Sequence, residues 1–432
     1  MLLQVYKYIS HKNIKIERIL KSFFELHPEN IELSLNRIKK LLKKLDNPQD
    51  KIKNIIQIAG TNGKGSIASV LYQILKTNGM KVNVYRSPHL INFNERIHIL
   101  NKQISDKYLL NILEMIKSVN NNNPITFFEI ITAAAFLAFY ESSADINILE
   151  VGLGGRLDAT NVVKKNIASI IAPIDYDHKE FLGNSIKDIA YEKVGIIKNN
   201  STVIICNQRE AAKRVIIKKI KEKNCKYFFY NDNWIINNKF LYCDNNKVDL
   251  RNISLKGEHQ YINAGCAIVA SLKIKALEGK KDNLYKALKN VKWKGRIELL
   301  EGKLGKRYNN IEIWMDVAHN VLGFKVLCNW LKKKNINNPI FILGLGIKKD
   351  YINILKEIKK IKPSILYFPS RLQFNSYSPK KLIDYSKKLN LKALQIKDIS
   401  SALELLNEED SIRKTVIVSG SIGLIGELLS KN

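Results

Sequence analysis

Asn54-Ile55-Ile56-Gln57-Ile58-Ala59-Gly60-Thr61-Asn62-Gly63-Lys64-Gly65-Ser66 is the stretch on which the fold turns. Asn54–Ala59 is a short apolar run, and Ser66–Lys76 carries a helical pattern. Strand, glycine-rich turn and helix in that order bring backbone N–H groups and a helix N-terminus to one point, where phosphates bind. Gly60, Gly63 and Gly65 let the main chain come close. Lys64 is placed to meet terminal phosphates, and the Ser66 hydroxyl is placed for Mg²⁺. Only Thr61 and Asn62 separate Gly60 from Gly63, so the loop is shorter than GxxxxGK[ST]. An isolated GKGS would be an ordinary turn; the flanking strand and helix favour a nucleotide site.

Upstream, two amphipathic helices are expected near Lys15–Phe24 and Ile31–Leu45, ending at Pro48. Downstream, strands at Lys81–Tyr85, Ile146–Val151, Ile167–Ala172 and Val203–Cys206 alternate with helices at Asp106–Val119, Phe127–Tyr140, Ile186–Ile197 and Glu210–Lys221. That alternation predicts a mostly parallel, helix-covered sheet in an α/β fold. Tyr227–Ile253, short, aromatic and Asn-rich, reads as hairpins or loops at its edge. Past a helix at Leu284–Val291, Lys292–Asn310 reads as a passage to a second α/β domain. Its strands are expected at Ile311–Met315, Ile340–Leu343, Ile365–Phe368 and Thr415–Ser419, and its helices at Leu322–Lys334, Ile352–Lys360, Pro379–Leu389 and Ile399–Leu406.

The 432 residues suffice for two or three domains. With 45% hydrophobic and 26% charged residues the composition is globular. The five scattered cysteines read as reduced, mostly buried thiols. No signal-peptide core follows Met1. The most apolar helix, Ile130–Tyr140, lies between Glu129 and Glu141 and is far shorter than the roughly 20 residues that span a bilayer, so a soluble, cytoplasmic protein without a membrane partner is expected. A net charge of +31 suits a polyanion partner, but the lysines fall in short dispersed pairs without interleaved aromatics. A solvated basic surface is the better reading, and a nucleic-acid partner is not expected.

A second glycine-dense loop, Glu150-Val151-Gly152-Leu153-Gly154-Gly155-Arg156-Leu157-Asp158-Ala159-Thr160-Asn161, ends another expected strand. Ligands in open α/β sheets sit beyond that edge, and Arg156 and Asp158 among glycines suit an anionic substrate better than a bare turn. His178, in Asp175-Tyr176-Asp177-His178, is a candidate metal ligand. Glu129 opens an apolar helix, where it is either a metal-binding carboxylate or a first-turn acid favoured by the helix dipole. Lys193 by spacing alone is an ordinary surface lysine.

Taken together and in order, AGTNGKGS, SPHL with NERI, TFFE, EVGLGGRLDATN, DHKEFLG, EKVGIIK, LKGEHQYINAG, WKGRIE, DVAHN and SGSIGLIGEL resemble the folylpolyglutamate synthase and dihydrofolate synthase family, a branch of the Mur ligases, over nearly the whole chain. The resemblance implies a P-loop-type ATPase domain with N-terminal helices over residues 1–294, and a smaller Rossmann-like C-terminal domain over 295–432. It implies an ATP-dependent ligase that phosphorylates the carboxylate of dihydropteroate or of a folate γ-glutamyl tail. The amine of L-glutamate then attacks the acyl phosphate. The implied cofactors are ATP and two Mg²⁺ ions, one held by Ser66 and Glu129 and the other by His178, with Lys193 carbamylated. Asn263 would contact adenine, and Arg296 and Asp316 phosphate and ribose. Arg86, Ser87, Pro88, His89, Thr126, Phe127 and Phe128 would face the pterin-bearing substrate, and His319, in the same DVAHN element as Asp316, would be a further substrate-binding residue. A monomer is implied.

This sequence departs from the family's DGAHNP string at Val317 and Val321, where glycine and proline are usual. A valine does not readily take the left-handed backbone open to glycine, so a different local ribose contact is expected. A Mur-type ligase acting on a cell-wall precursor, and a basic nucleotide-dependent nucleic-acid-binding protein, are the alternatives.

Overall fold

The computed structural model describes residues 11–26, 33–277, 283–370, 376–408 and 414–432. It divides into two compact units. Of the described residues, one unit holds those before 255 together with Gln260–Lys292, and the other holds Leu255–His259 and Trp293–Asn432.

The first unit is built on strands β1 (Ile55–Ala59), β2 (Val82–Tyr85), β3 (Ile97–Ile99), β4 (Lys102–Gln103), β5 (Ile146–Glu150), β6 (Ala168–Ile171), β7 (Thr202–Ile205) and β8 (Lys226–Phe229). They form one sheet in the order β4-β3-β2-β5-β1-β6-β7-β8. The pairings from β2 to β8 are parallel, and β3 and β4 continue the sheet antiparallel. Every residue of β1 is buried, which is why it reads as an unbroken apolar run: a central parallel strand is covered on both faces. Its one polar side chain, Gln57, donates to the Thr160 carbonyl at 3.2 Å and accepts from Asn166 Nδ2 at 2.8 Å. Beneath the ligand edge, Ala59, Val151, Ile171, Ile186, Ile189 and Val194 pack in one apolar cluster.

The helix Phe127–Glu141 starts at a capping box in which Thr126 Oγ1 accepts from the Glu129 amide and Glu129 accepts from the Thr126 amide. No helix among the described residues is long and apolar enough to cross a membrane. Tyr227–Ile253 differs from expectation in part. Its start belongs to β8, a parallel edge strand of the main sheet, and the rest forms an antiparallel meander of β9 (Trp234–Asn237), β10 (Phe240–Cys243) and β11 (Asn246–Asp249). The helix His259–Lys273 was not anticipated. It is buried over most of its length, so it lacks a polar face and hence the periodic signal of a surface helix. Of the expected Ile31–Leu45 helix, Asn36–Lys44 is helical, and Ile31 and Glu32 lie outside the described residues.

The second unit has a six-stranded sheet in the order β12-β13-β17-β14-β15-β16. These strands are Glu298–Leu299, Ile311–Asp316, Ile340–Leu343, Ile365–Pro369, Ala393–Ile396 and Lys414–Ser419 in chain order from β12 to β17. β12 is antiparallel to β13 and the other pairings are parallel. Phe324, Leu327, Leu331, Phe341, Ile354 and Leu366 are in its core. The two α/β units, the first with its mostly parallel sheet, match the fold class expected from the sequence.

Candidate active site

β1 runs directly into the glycine-rich loop, and the helix Lys64–Thr77 begins at Gly63, its N-cap, with φ at 90°. Two contacts explain why glycine occupies two of these positions. A Cβ on Gly60 would lie 2.6 Å from the Ala172 Cβ, and one on Gly63 would lie 2.6 Å from Asn263 Oδ1. Thr61 ties the loop to the end of β6: its amide donates to Pro173 O at 2.9 Å, and its hydroxyl donates to Asp175 O at 2.8 Å while accepting from the Asp175 amide. Ser66 is buried in the first turn of the helix.

Two lysines converge on this loop. Lys64 Nζ donates to the carbonyls of Gly60 at 3.2 Å and Thr61 at 3.4 Å. Lys193 Nζ, from the helix Ile186–Val194, donates to the same Gly60 carbonyl at 3.0 Å. Burial, and next the Lys64 charge, push the Lys193 pKa down to about 7, against the opposing pull of Asp177 and Asp158. The residue that spacing made ordinary is therefore a buried amine on the phosphate loop.

The 152–161 loop packs against the end of the same helix. The Arg156 amide donates to Glu192 O at 2.7 Å, and its guanidinium pairs with Glu192 Oε1 at 2.8 Å. Asp158 is buried and accepts from the Leu153 amide, the Thr160 amide and the Thr160 hydroxyl. Arg156 and Asp158 thus shape the loop and join it to the element bearing Lys193.

Glu129 behaves as a first-turn acid: its Oε2 accepts from the Thr126 amide at 2.8 Å and from Arg37 Nε at 3.0 Å, and none of these partners belongs to the phosphate loop. Glu150, which sequence reasoning quoted but gave no role, stands in the strand next to the one that feeds the loop. It is the buried last residue of β5, paired in register with Ile58 of β1. His178 has a left-handed backbone with φ at 50°, and its Nε2 is 3.9 Å from Asp177 Oδ2. Among the described residues no three His, Cys, Asp or Glu side chains form a metal cage. Mg²⁺ keeps several waters and takes oxygens from substrate phosphates, so it does not need such a cage.

Of the expected substrate residues, Arg86 follows β2 and is buried, with its guanidinium 5.3 Å from the centre of the Tyr72 ring and in the field of Glu150. Burial lowers its pKa to about 10. The Ser87-Pro88 bond is cis. His89 Nδ1 accepts from Arg96 Nε at 2.8 Å, and its ring stacks edge-on to Phe93. Phe127 packs near Phe93 and Phe24. Phe128 lies against Tyr85 and so close to Gly152 that a Cβ there would be 2.4 Å from its ring. Thr126 is taken by the capping box. Asn263, from the helix His259–Lys273, borders Gly63 and donates to Gln260 Oε1 at 3.0 Å.

In the second unit, Asp316 ends β13 and accepts from the amides of Ile297 at 2.9 Å and Ala318 at 2.8 Å; burial raises its pKa. Arg296 Nη1 donates to Gly295 O. His319 Nδ1 lies 2.9 Å from Val317 O. Val317 is not among the residues with positive φ, and its amide donates to Gly295 O, so valine is accommodated without strain. Val321 is the first residue of the helix Val321–Lys333, the position where proline is also favoured.

Residues 58–271 match the Mur ligase middle domain. Along 429 aligned residues the chain is 31% identical to the dihydrofolate synthetase of Saccharomyces cerevisiae, covering 92% of this chain and 97% of that protein. It is 30% identical to the dihydrofolate synthase/folylpolyglutamate synthase of Bacillus subtilis, covering 92% and 94%. The chain belongs to the folylpolyglutamate synthase and dihydrofolate synthase family of Mur ligases. Within this family, the bifunctional enzyme of Yersinia pestis solved with AMPPNP and a Mn ion superposes with a TM-score of 0.81 at 25% identity, covering 94% of this chain and 95% of the other. The family resemblance expected from the motifs is thereby established.

Proposed function

We propose that this protein is an ATP- and Mg²⁺-dependent ligase that joins L-glutamate to dihydropteroate, or to the γ-carboxyl of a folate, through an acyl phosphate. The observation that carries the proposal is the convergence of Lys64 and Lys193 on the Gly60 carbonyl at the mouth of a strand-loop-helix phosphate cradle. An oxygen of the substrate carboxylate attacks the γ-phosphorus, the bond to ADP breaks, and Lys64 with the loop amides meets the charge on the transferring group. The glutamate amine then attacks the acyl carbon and inorganic phosphate leaves. Mg²⁺, held by Ser66 with Glu150 or Glu129 and by His178, would supply further charge neutralisation. Of the two carboxylates, the position of Glu150 beside β1 favours it. Two ions are proposed, as are adenine contact by Asn263, phosphate and ribose contact by Arg296 and Asp316, and a substrate-facing role for Arg86 to His89, Thr126 to Phe128, Arg156, Asp158 and His319.

Burial lowers the Lys193 pKa to about 7, so the neutral amine that carbamylation needs is far more accessible than for an ordinary lysine. The nitrogen lone pair attacks CO₂, the N–C bond forms, one C=O electron pair moves to oxygen and the ammonium proton goes to solvent. A cytoplasmic monomer is part of the same reading.

The test is ADP release with dihydropteroate and then tetrahydrofolate, each with and without L-glutamate. Glutamate- and pteridine-dependent turnover is expected. Turnover only with a UDP-sugar acceptor would instead favour the cell-wall ligase.

A further inference from the structure

Asn161 lies in the short 3₁₀ turn Ala159–Val162 and is 8% exposed. Its Nδ2 donates both hydrogens, one to Arg156 O at 3.0 Å and the other to Gly195 O at 3.1 Å. Both partners are acceptors, so the amide has one possible orientation. Gly195 caps the helix Ile186–Val194, two residues beyond Lys193, and Arg156 belongs to the glycine-dense loop. The two segments touch through their main chains. A Cβ on Gly195 would fall 2.4 Å from Arg156 Cα, and one on Gly155 would fall 2.8 Å from the carbonyls of Glu192 and Lys193. Loss of the Asn161 amide would leave both carbonyls without this donor.

We propose that Asn161 is a positioning residue for Lys193: its buried amide rivets the Arg156 and Gly195 carbonyls together and so fixes the helical turn that presents Lys193 to the phosphate loop. The inference rests on the reading in which Lys193 acts at the phosphates. Asn161 itself touches neither Lys193 nor the loop in any hydrogen bond described above, and its effect passes through the helix cap. The remaining amide oxygen, Oδ1, is buried without a hydrogen-bond partner. This raises the competing role of direct substrate contact, which predicts a different kinetic signature.

Asn161→Asp keeps the shape and removes both donors. In the full-length protein, kcat for glutamate-dependent ADP release is expected to fall ~10–100-fold, the range for loss of a supporting hydrogen bond behind a functional group, with KM for ATP and for the folate within about twofold of wild type. The ¹³C carbamate resonance formed on Lys193 from labelled bicarbonate, identified by its absence in Lys193→Met, is expected to weaken in parallel. A raised folate KM with kcat and carbamate intact would overturn the inference in favour of substrate contact, and wild-type kinetics would overturn it outright. If wild type gives no carbamate resonance, the carbamylation reading fails while the split between kcat and KM still decides the role of Asn161. Should the aspartate variant not fold, Asn161→Ser, which keeps one donor, is judged by the same criteria.

Discussion

Replacing Gly63 by alanine perturbs the phosphate loop at a point where backbone conformation and packing both demand glycine. The residue has φ at 90°, and a methyl group there would sit 2.6 Å from Asn263 Oδ1. Holding a non-glycine residue in so sparsely populated a conformation costs ~1–3 kcal/mol. Asn263 is buried and bonded to Gln260, so giving way costs about 1 kcal/mol more in a lost hydrogen bond. If the loop instead relaxes to a normal φ, its amides turn away from the phosphates. Either route withdraws about 2–4 kcal/mol from nucleotide binding or from stability. Titration calorimetry with Mg·ATP should show Kd raised about 30- to 700-fold where the loss falls on binding, and urea unfolding should reveal the share that falls on the fold. An alanine variant that keeps both stability and Mg·ATP affinity within threefold of wild type would show that this loop does not grip phosphates.

Two further outcomes follow from the paired lysines. Lys64→Met should lower kcat by ~10²–10³-fold, the usual loss when one charge-stabilising donor is removed from a reacting group, with little change in melting temperature. Lys193→Met should abolish turnover yet stabilise the fold at neutral and lower pH. Burial lowers the folded-state pKa of Lys193 from the ordinary lysine value of 10.5 to about 7. The unfolded chain therefore binds more protons between those values, and wild-type stability gains from this group as pH rises through that window. Melting curves from pH 6 to pH 10 should show the advantage of the methionine variant largest at the acid end and shrinking upward. An advantage that is constant with pH would mean that Lys193 is not held near neutrality.

The glycine loop between strand and helix was readable because Asn54–Ser66 states all three elements within thirteen positions, and local pattern suffices for local structure. Strand order was not readable, since the crossing from β5 over β1 to β6 depends on contacts far apart in sequence. The helix His259–Lys273 escaped because it is buried over most of its length and so lacks a polar face; Gly265 there admits the Trp234 ring, which would lie 2.8 Å from a Cβ. At Glu129 the fold adds what the local sequence does not show: a Thr126 capping box and Arg37 occupy its Oε2. Lys193 was chosen only through the resemblance, because burial of a lysine is a tertiary property with no mark in the local sequence.

The Lys64 ammonium and the buried Lys193 amine share one carbonyl oxygen at Gly60, and the Lys64 charge raises the cost of protonating Lys193. A polyanion settling on the loop relieves that repulsion and makes the protonated amine at Lys193 easier to form. Nucleotide arrival is thereby coupled to uptake of a fraction of a proton near neutral pH, so the heat of binding should vary with the ionisation enthalpy of the buffer.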